Sequence, residues 1–320
     1  MRCVTPFCAI ARLAAIEAIR RPVFLLVSLA SLVGILLLPL LLNYTLGDSA
    51  RIIRDSALAF YLVGGFLLGT HAAAEGFSRD LRRGTAATIL AKPVSRGAFF
   101  LARATGIVLA LALFSIAALA ATLLAVRAGA SDLRLDWTAA APALAALLLA
   151  PILAGAWNHR TRRPFASAAF FLLLLLLLLA VATAACLPTP LDHLTFPNNF
   201  SWTILSVGLL LFLCIGMATA LAAALATRLK LAPVLLLCSG IFMLGLMADS
   251  FIGPRVDQSL VSATAYALLP NVQAFWLVDA LDAAVTIPSS YFWLATAYAA
   301  AWSAAALALG AAAFHHREIS

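Results

Sequence analysis

Few ionisable side chains lie within the apolar stretches of this chain, and these are the first candidates for chemistry. His71 and Glu75 are four residues apart, a spacing that places both on one face of a helix. The pair could ligate a metal ion with partners from elsewhere, although a hydrogen bond at a helix end is the favoured interpretation. Asp249 lies near the end of a later apolar stretch. Because no acid lies at the middle of a stretch, a carrier driven by protons or sodium is poorly supported.

Hydrolytic and nucleotide chemistry have no visible motif. The sequence contains no G-x-x-x-x-G-K-[ST] phosphate loop, which is the usual nucleotide-binding signature. It also has no Ser/His or Asp/Asp pair within the apolar stretches, as an intramembrane protease would need. The five cysteines form no C-x-x-C pair, so they favour neither a metal site nor a redox site. We therefore expect no enzymatic activity, no cofactor and no metal.

The composition requires an apolar environment larger than one soluble core. Hydrophobic residues make up 64% of the 320 residues, charged residues only 11%, and the mean hydropathy is +1.05. Continuous apolar runs of about 20 residues are typical of transmembrane helices. The sequence thus predicts an all-α polytopic bundle. The eight predicted spans are 23–42, 57–75, 99–126, 138–157, 165–187, 201–226, 231–251 and 291–313.

The positive charge is distributed as in a multi-pass inner-membrane protein. The net charge is +8, but the basic residues are divided among short segments between apolar runs, which disfavours nucleic-acid binding. If the N-terminus is cytoplasmic, most of the basic residues fall on the cytoplasmic side, as expected for membrane proteins. This predicts both termini in the cytoplasm and location in the cell's inner (cytoplasmic) membrane. The basic residues left for the outer side are Arg51, Arg54, Arg127, Arg134 and Arg255.

Four segments are distinguished within one membrane domain that covers residues 1–320. Residues 1–22 are predicted to form an interfacial helix along the cytoplasmic surface, and 138–187 form a hairpin of two spans. The outer segment 252–290 contains apolar stretches too short to span, such as Val272–Leu281, which predict re-entrant or interfacial helices. The fourth segment is a long basic cytoplasmic loop, 76–98. In the second span, Gly65 and Gly69 allow close helix packing, either within the chain or in a dimer.

The cytoplasmic loop has the pattern of a short helix between two spans. Residues 75–96 read EGFSRDLRRGTAATILAKPVSR. Thr85 is a good N-cap for a helix that extends to about Ala91, and Pro93 would end it. Ser95 could then cap the third span. Such a helix, parallel to the membrane, could be moved by a cytoplasmic protein and transmit that motion to both spans.

This loop resembles that of the ABC-2 type transporter permeases, which have acidic and basic residues, Gly-Thr, and then a Leu-x-x-Pro-[Val/Ile]-Ser-Arg motif before span three. The residues that carry the resemblance are Asp80, Gly84, Thr85, Leu90, Lys92, Pro93, Val94, Ser95 and Arg96. The N-terminal IARLAAIEAIRRPVF and the segment 267–281 are also similar to parts of that family. Two features depart from it. Arg103 stands where many members have lysine, and the usual core has six spans rather than eight, which implies that 138–187 is an inserted hairpin.

The resemblance implies a half-transporter in which two permease chains, identical or related, act with two copies of a separate ABC ATPase subunit. Substrates of the family include drugs, polysaccharides, lipids and components for cofactor assembly, and nothing here selects among them. An ion-coupled secondary transporter and a non-transporting membrane scaffold are the alternatives. The residues implied to contact the ATPase subunit are Asp80, Arg82, Arg83, Gly84, Thr85, Leu90, Lys92, Pro93 and Arg96.

Overall fold

The computed structural model describes residues 4–42, 49–82, 95–130, 134–162, 164–189, 193–254, 259–278, 281 and 288–315. Within these ranges the regular structure is helical, and no β-strand occurs. The helices are α1 (Val4–Ile19), α2 (Pro22–Leu41), α3 (Ser49–Arg82), α4 (Arg96–Ala128), α5 (Trp137–Thr161), α6 (Phe165–Cys186), α7 (Thr203–Ala226), α8 (Leu231–Phe251), α9 (Leu260–Leu268) and α10 (Ser289–His315).

Eight of these helices, α2 to α8 and α10, are long and apolar enough to cross a membrane, which confirms the predicted polytopic all-α bundle. Most predicted span bounds agree with the helices to within a few residues. The second span is the exception, because α3 is 34 residues long whereas the prediction was 57–75. Its additional turns carry charged side chains such as Arg51 and Arg79. Hydropathy therefore excluded these turns, although the helical backbone continues through them.

The centre of the bundle is formed by α3, α4 and α7, which are the most buried of the spanning helices. Gly65 and Gly69 of α3 face α7: a Cβ atom at these positions would lie 2.4 Å from Ile215 and 2.2 Å from Thr219. The two glycines therefore serve packing within the chain. On the same helix, the buried Tyr61 donates a hydrogen bond to the carbonyl oxygen of Gly208, at 3.2 Å. Close approach of α3 and α7 thus depends on small residues, and a tyrosine hydrogen bond adds to the contact.

The hairpin of α5 and α6 packs on one side of this centre, against α2 and α4. Arg127, in the last turn of α4, holds it there and is only 4% exposed. Its guanidinium group pairs with Asp136 at 3.1 Å and donates to Thr138 and to the carbonyl oxygens of Ala184 and Leu187. We call these five residues the Arg127 clamp. Arg127 was predicted to be an outer-loop charge; it is instead buried at a junction of three helices, because its side chain can bond several helix ends at once.

Helix α1 packs along α4 through small residues. Ala11, Ala14 and Ala18 are buried, and a Cβ atom on Gly106 of α4 would lie 2.2 Å from the Ala11 carbonyl oxygen. The side chain of Leu13, by contrast, is 57% exposed. The predicted helix is therefore present, and it docks on the bundle through small residues and the buried Ile19 while Leu13 faces away.

On the other side of the centre, α8 and α10 leave much of their surface exposed, and the segment 259–278 connects into the bundle between them. Gly245 of α8 accommodates this segment, because a Cβ atom there would lie 2.3 Å from the Pro270 carbonyl oxygen. Val272 donates its backbone N–H to the Gly245 carbonyl at 3.3 Å. Around a small cavity lined by Pro270 are Cys214 of α7, Phe242 of α8 and Trp302 of α10.

These three residues lie close to the middle of their helices, so the turn at Pro270 reaches about half the depth of the bundle. Residues 272–278 do not form the continuous helix that the apolar stretch suggested. They contain one short 3-10 turn, Gln273–Phe275. The backbone groups of such a turn need partners in an apolar bundle, and the Gly245 carbonyl and the side chains of α10 supply several of them.

Candidate functional site at the base of residues 83–94

The helices α3 and α4 lead into and out of the segment that resembles the ABC-2 motif. The backbone of α3 continues through Asp80 and Arg82, whose side chains are outside the described part. Ser95 N-caps α4, because its Oγ atom accepts the Ala98 backbone N–H at 3.2 Å; this confirms the predicted cap. The predicted contact residues that lie outside the described ranges are Arg83, Gly84, Thr85, Leu90, Lys92 and Pro93.

Arg96 is the one predicted contact residue with a described side chain. It occupies the first position of α4, and its Nη1 donates to the carbonyl oxygen of His315 at 2.9 Å. His315 is the last residue of α10, where carbonyl groups lack helical partners and attract positive charge. The first turn of α4 is therefore bonded to the last turn of α10.

Five charged residues form a connected group next to the ends of α3 and α4, which we call the charge cluster: Glu17, Arg21, Glu75, Arg79 and Arg103. Glu17 accepts from Arg21 and from Arg103, each at 2.9 Å. Glu75 pairs with Arg21 at 3.0 Å and also with Arg79. The cluster therefore joins α1, the α1–α2 turn, α3 and α4 in one network of ion pairs.

His71 extends the cluster by one helical turn. Its Nε2 lies 3.6 Å from a Glu75 carboxylate oxygen, so the pair predicted from the four-residue spacing is in contact. Within the described ranges, no group of three or more His, Cys, Asp or Glu side chains is placed to hold a metal ion. At 3.6 Å the His71–Glu75 contact is longer than the hydrogen bond that the spacing favoured.

Two of the arginines are nearly inaccessible. Arg21 is 8% exposed and Arg103 is 5% exposed, so both depend on their carboxylate partners to offset the cost of burying a charge. Burial by itself raises the pKa of Glu17, but the nearby Arg103 and Arg21 outweigh it and hold that pKa below its ordinary value of 4.5. Glu17 is therefore ionised at neutral pH and stabilises the two buried guanidinium groups.

Aromatic side chains hold the same helix ends together beside the charge cluster. The rings of Phe77 in α3 and Phe100 in α4 have centroids 4.8 Å apart, and Phe314 of α10 lies 6.1 Å from Phe100. All three are fully buried. A Cβ atom on Gly310 would lie 2.7 Å from the Phe100 ring, which shows how closely α10 approaches.

Sequence reasoning found Glu75 and His71 but missed most of the charge cluster. Glu17 and Arg21 have the i, i+4 spacing of a helical ion pair, and this signal was available. The bond between Glu17 and Arg103 joins residues 86 positions apart, and no local pattern predicts it.

No protein-family model matches this chain, and no curated protein matches its sequence significantly. The resemblance to ABC-2 permeases therefore depends on the residues of the motif itself. The site holds no combination of nucleophile, base and metal ligands within the described residues. Ion pairs and packed aromatic rings connect the ends of several helices there.

Proposed function

We propose that this multi-pass membrane protein is the permease subunit of an ABC-2 type, ATP-driven exporter in the inner membrane. Residues 76–98 would form the cytoplasmic contact with a separate ATPase subunit. The observation that carries the proposal is the charge cluster, because it connects α1, α3 and α4 directly beside the segment with the ABC-2 motif.

The proposed mechanism is the transfer of motion from the ATPase subunit to the helix bundle. Movement of residues 83–94 would displace the end of α3 and the start of α4 together, since Phe77 and Phe100 pack against each other. The ion pairs of Glu17 would make α1 follow α4, and Arg96 would make α10 follow. A shift of this kind, in which packed helices move as one body, is a common form of domain motion.

In this proposal the energy for transport comes from the separate ATPase subunit. The sequence has no phosphate loop, so we expect neither ATP hydrolysis nor a cofactor in this chain. The functional unit would contain two permease chains and two ATPase subunits in the lipid bilayer, with both termini of the chain in the cytoplasm.

Affinity purification from native membranes, followed by mass measurement of the intact complex, tests the partnership. We expect two copies each of the chain and an ABC ATPase, and the chain alone should not hydrolyse ATP. Recovery without an ATPase, together with substrate transport driven by a proton gradient alone, would refute the proposal and favour an ion-coupled carrier. Recovery without an ATPase and without any transport would instead favour a membrane scaffold.

Variants of the charge cluster test the mechanism. Glu17→Gln should leave the complex assembled but reduce substrate-stimulated ATP hydrolysis about fivefold or more, because one weakened contact of about 1 kcal/mol changes an equilibrium by that factor. Arg12→Gln is the matched control, since Arg12 lies on the exposed face of the same helix. Equal activity of the two variants would show that the cluster does not transmit motion.

A further inference from the structure

A second site of unusual chemistry lies on the opposite side of the bundle from the α5–α6 hairpin. A cavity of about 360 Å³ opens between α9, the segment 270–275 and α10, and we call it the aromatic cavity. This volume is within the range of small-molecule sites. Its lining residues are Tyr266, Asn271, Ala274, Phe275, Tyr291, Leu294, Ala295 and Tyr298.

Hydrogen bonds fix three of the aromatic rings that line the cavity. Tyr291 donates to the carbonyl oxygen of Ala274 at 2.6 Å, and the hydroxyl oxygen of Tyr298 accepts the backbone N–H of Asn271 at 3.0 Å. Tyr266 donates to Asp249 at 2.6 Å. Rings held in this way lose little freedom when a ligand binds, which favours affinity.

Asp249 is the only Asp, Glu, Lys or Arg residue among the described residues from 231 to 314. The Oδ1 atom of Asp249 accepts from Tyr266 and, at 2.8 Å, from the Asn271 side chain. The negative charge is therefore one hydrogen bond behind the cavity wall, and within the described residues it is balanced by hydrogen-bond donors but by no cation.

The faces of aromatic rings attract cations. The hydrogen bond from Tyr266 to a carboxylate increases the electron density of that ring, since neighbouring hydrogen bonds polarise one another. A carboxylate behind the rings adds a direct attraction for positive charge and repels anions. The apolar remainder of the wall, which includes Leu294 and Ala295, suits a hydrocarbon portion of the ligand.

The geometry points to a binding site for an amphipathic organic cation, with its charge facing Tyr266 and Tyr298 and its apolar part against Leu294. Leu294 is 71% exposed, so the cavity opens at the surface of the bundle. A ligand that partitions into the bilayer can enter from that side. That this ligand is also the transported substrate rests on the proposed export function, whereas its binding does not.

Tetraphenylphosphonium is a suitable probe, and tetraphenylborate is a control of the same shape and opposite charge. Binding would be measured by equilibrium dialysis with the purified full-length chain in nanodiscs of phosphatidylcholine. We expect saturable binding of one phosphonium ion per chain, about tenfold or more tighter than the borate, since 1.4 kcal/mol of electrostatic preference corresponds to a factor of ten. Equal binding of the two ions, or no saturable phosphonium binding, would overturn the inference.

Three variants locate the site. Asp249→Asn keeps the size of the side chain but removes its charge, and it should weaken phosphonium binding about tenfold. Tyr298→Leu removes a ring and should weaken binding severalfold. Tyr298→Phe keeps the ring but removes the acceptor of the Asn271 N–H, so it should bind more tightly than Tyr298→Leu. The exposed Trp157→Leu on α5 is the control for nonspecific aromatic contacts.

Melting curves and size-exclusion profiles would establish that each variant is folded. If folded Asp249→Asn and Tyr298→Leu bind phosphonium as well as Trp157→Leu does, the cavity is not the site. This assay needs no ATPase, so its failure leaves the proposed export function standing. Conversely, loss of the ATPase partnership would leave cation binding intact.

Discussion

The two ends of the bundle use arginine in different ways. In the Arg127 clamp, one guanidinium group bonds a carboxylate, a hydroxyl and two backbone carbonyl oxygens. In the charge cluster, by contrast, three arginines share two glutamates, Glu17 and Glu75. Backbone acceptors at helix ends are fixed in place, whereas ion pairs between side chains can exchange partners as helices shift.

This difference in hydrogen-bond acceptors indicates which end of the bundle is the more rigid. The Arg127 clamp fixes the α5–α6 hairpin to α4, and Phe200 packs over its guanidinium group at 5.2 Å. The charge cluster holds α1 against α3 and α4 with contacts that are half-buried on the glutamate side. We therefore expect damage to the clamp to affect stability most, and damage to the cluster to affect helix docking and pH response.

The largest effect is expected from Arg127→Gln. The change leaves the buried Asp136 without its cationic partner and removes one donor from each of the two carbonyl oxygens. Breaking a buried ion pair in this way costs about 3–5 kcal/mol. Unfolding in mixed micelles titrated with dodecyl sulfate would measure the loss. Arg134→Gln is the control, because Arg134 is exposed in the same part of the chain. Similar stability of the two variants would contradict the role assigned to the clamp.

An intermediate effect is expected from Gly106→Ala at the other end. The added methyl group would lie 2.2 Å from the Ala11 carbonyl oxygen, so α1 must move away, and such overpacking costs about 1–3 kcal/mol. The same titration would detect it. Gly97→Ala on the same helix has nothing within 4 Å of the new atom and should be neutral. If Gly106→Ala is equally neutral, α1 does not dock as described.

The smallest effect is expected for the dependence of stability on acidic pH. Because the pKa of Glu17 is lowered in the folded protein, its contribution to stability is complete above 4.5 and is lost as the pH falls through the lower folded value. Thermal melting between pH 7 and pH 3 should therefore show a loss in the original chain that Glu17→Gln lacks. Parallel pH profiles for the two proteins would mean that Glu17 makes no favourable pairing.

The spanning helices were predictable because long apolar runs in a chain of this hydropathy have few other solutions. Span α6, with eight consecutive leucines from Leu172 to Leu179, is the plainest example, and its predicted bounds differ from the structure by one residue. The ends of α3 were not predictable from hydropathy, since they are polar helix. The cap at Ser95 was predicted from side-chain chemistry alone and is confirmed.

Most of the contacts between helices could not be predicted from the sequence. Arg103 was noticed only as a departure from a family pattern, and Arg127 was counted as a loop charge, yet both are buried in ion pairs with partners on other helices or turns. The aromatic cavity was missed for the same reason. Its tyrosines come from α9 and α10, and only the turn at Pro270 brings them beside Asp249.

The length of α3 has a consequence for how far the protein extends from the bilayer. At about 1.5 Å per residue, the 34 residues of this helix measure about 51 Å, whereas the hydrocarbon core of a membrane is only about 30 Å thick. Even if α3 is tilted, part of it must therefore extend beyond the hydrocarbon. Helix α4, with 33 residues, is almost as long. The polar turns at the ends of α3, which carry Arg51 and Arg79, therefore have room to lie at the level of the lipid headgroups or beyond them.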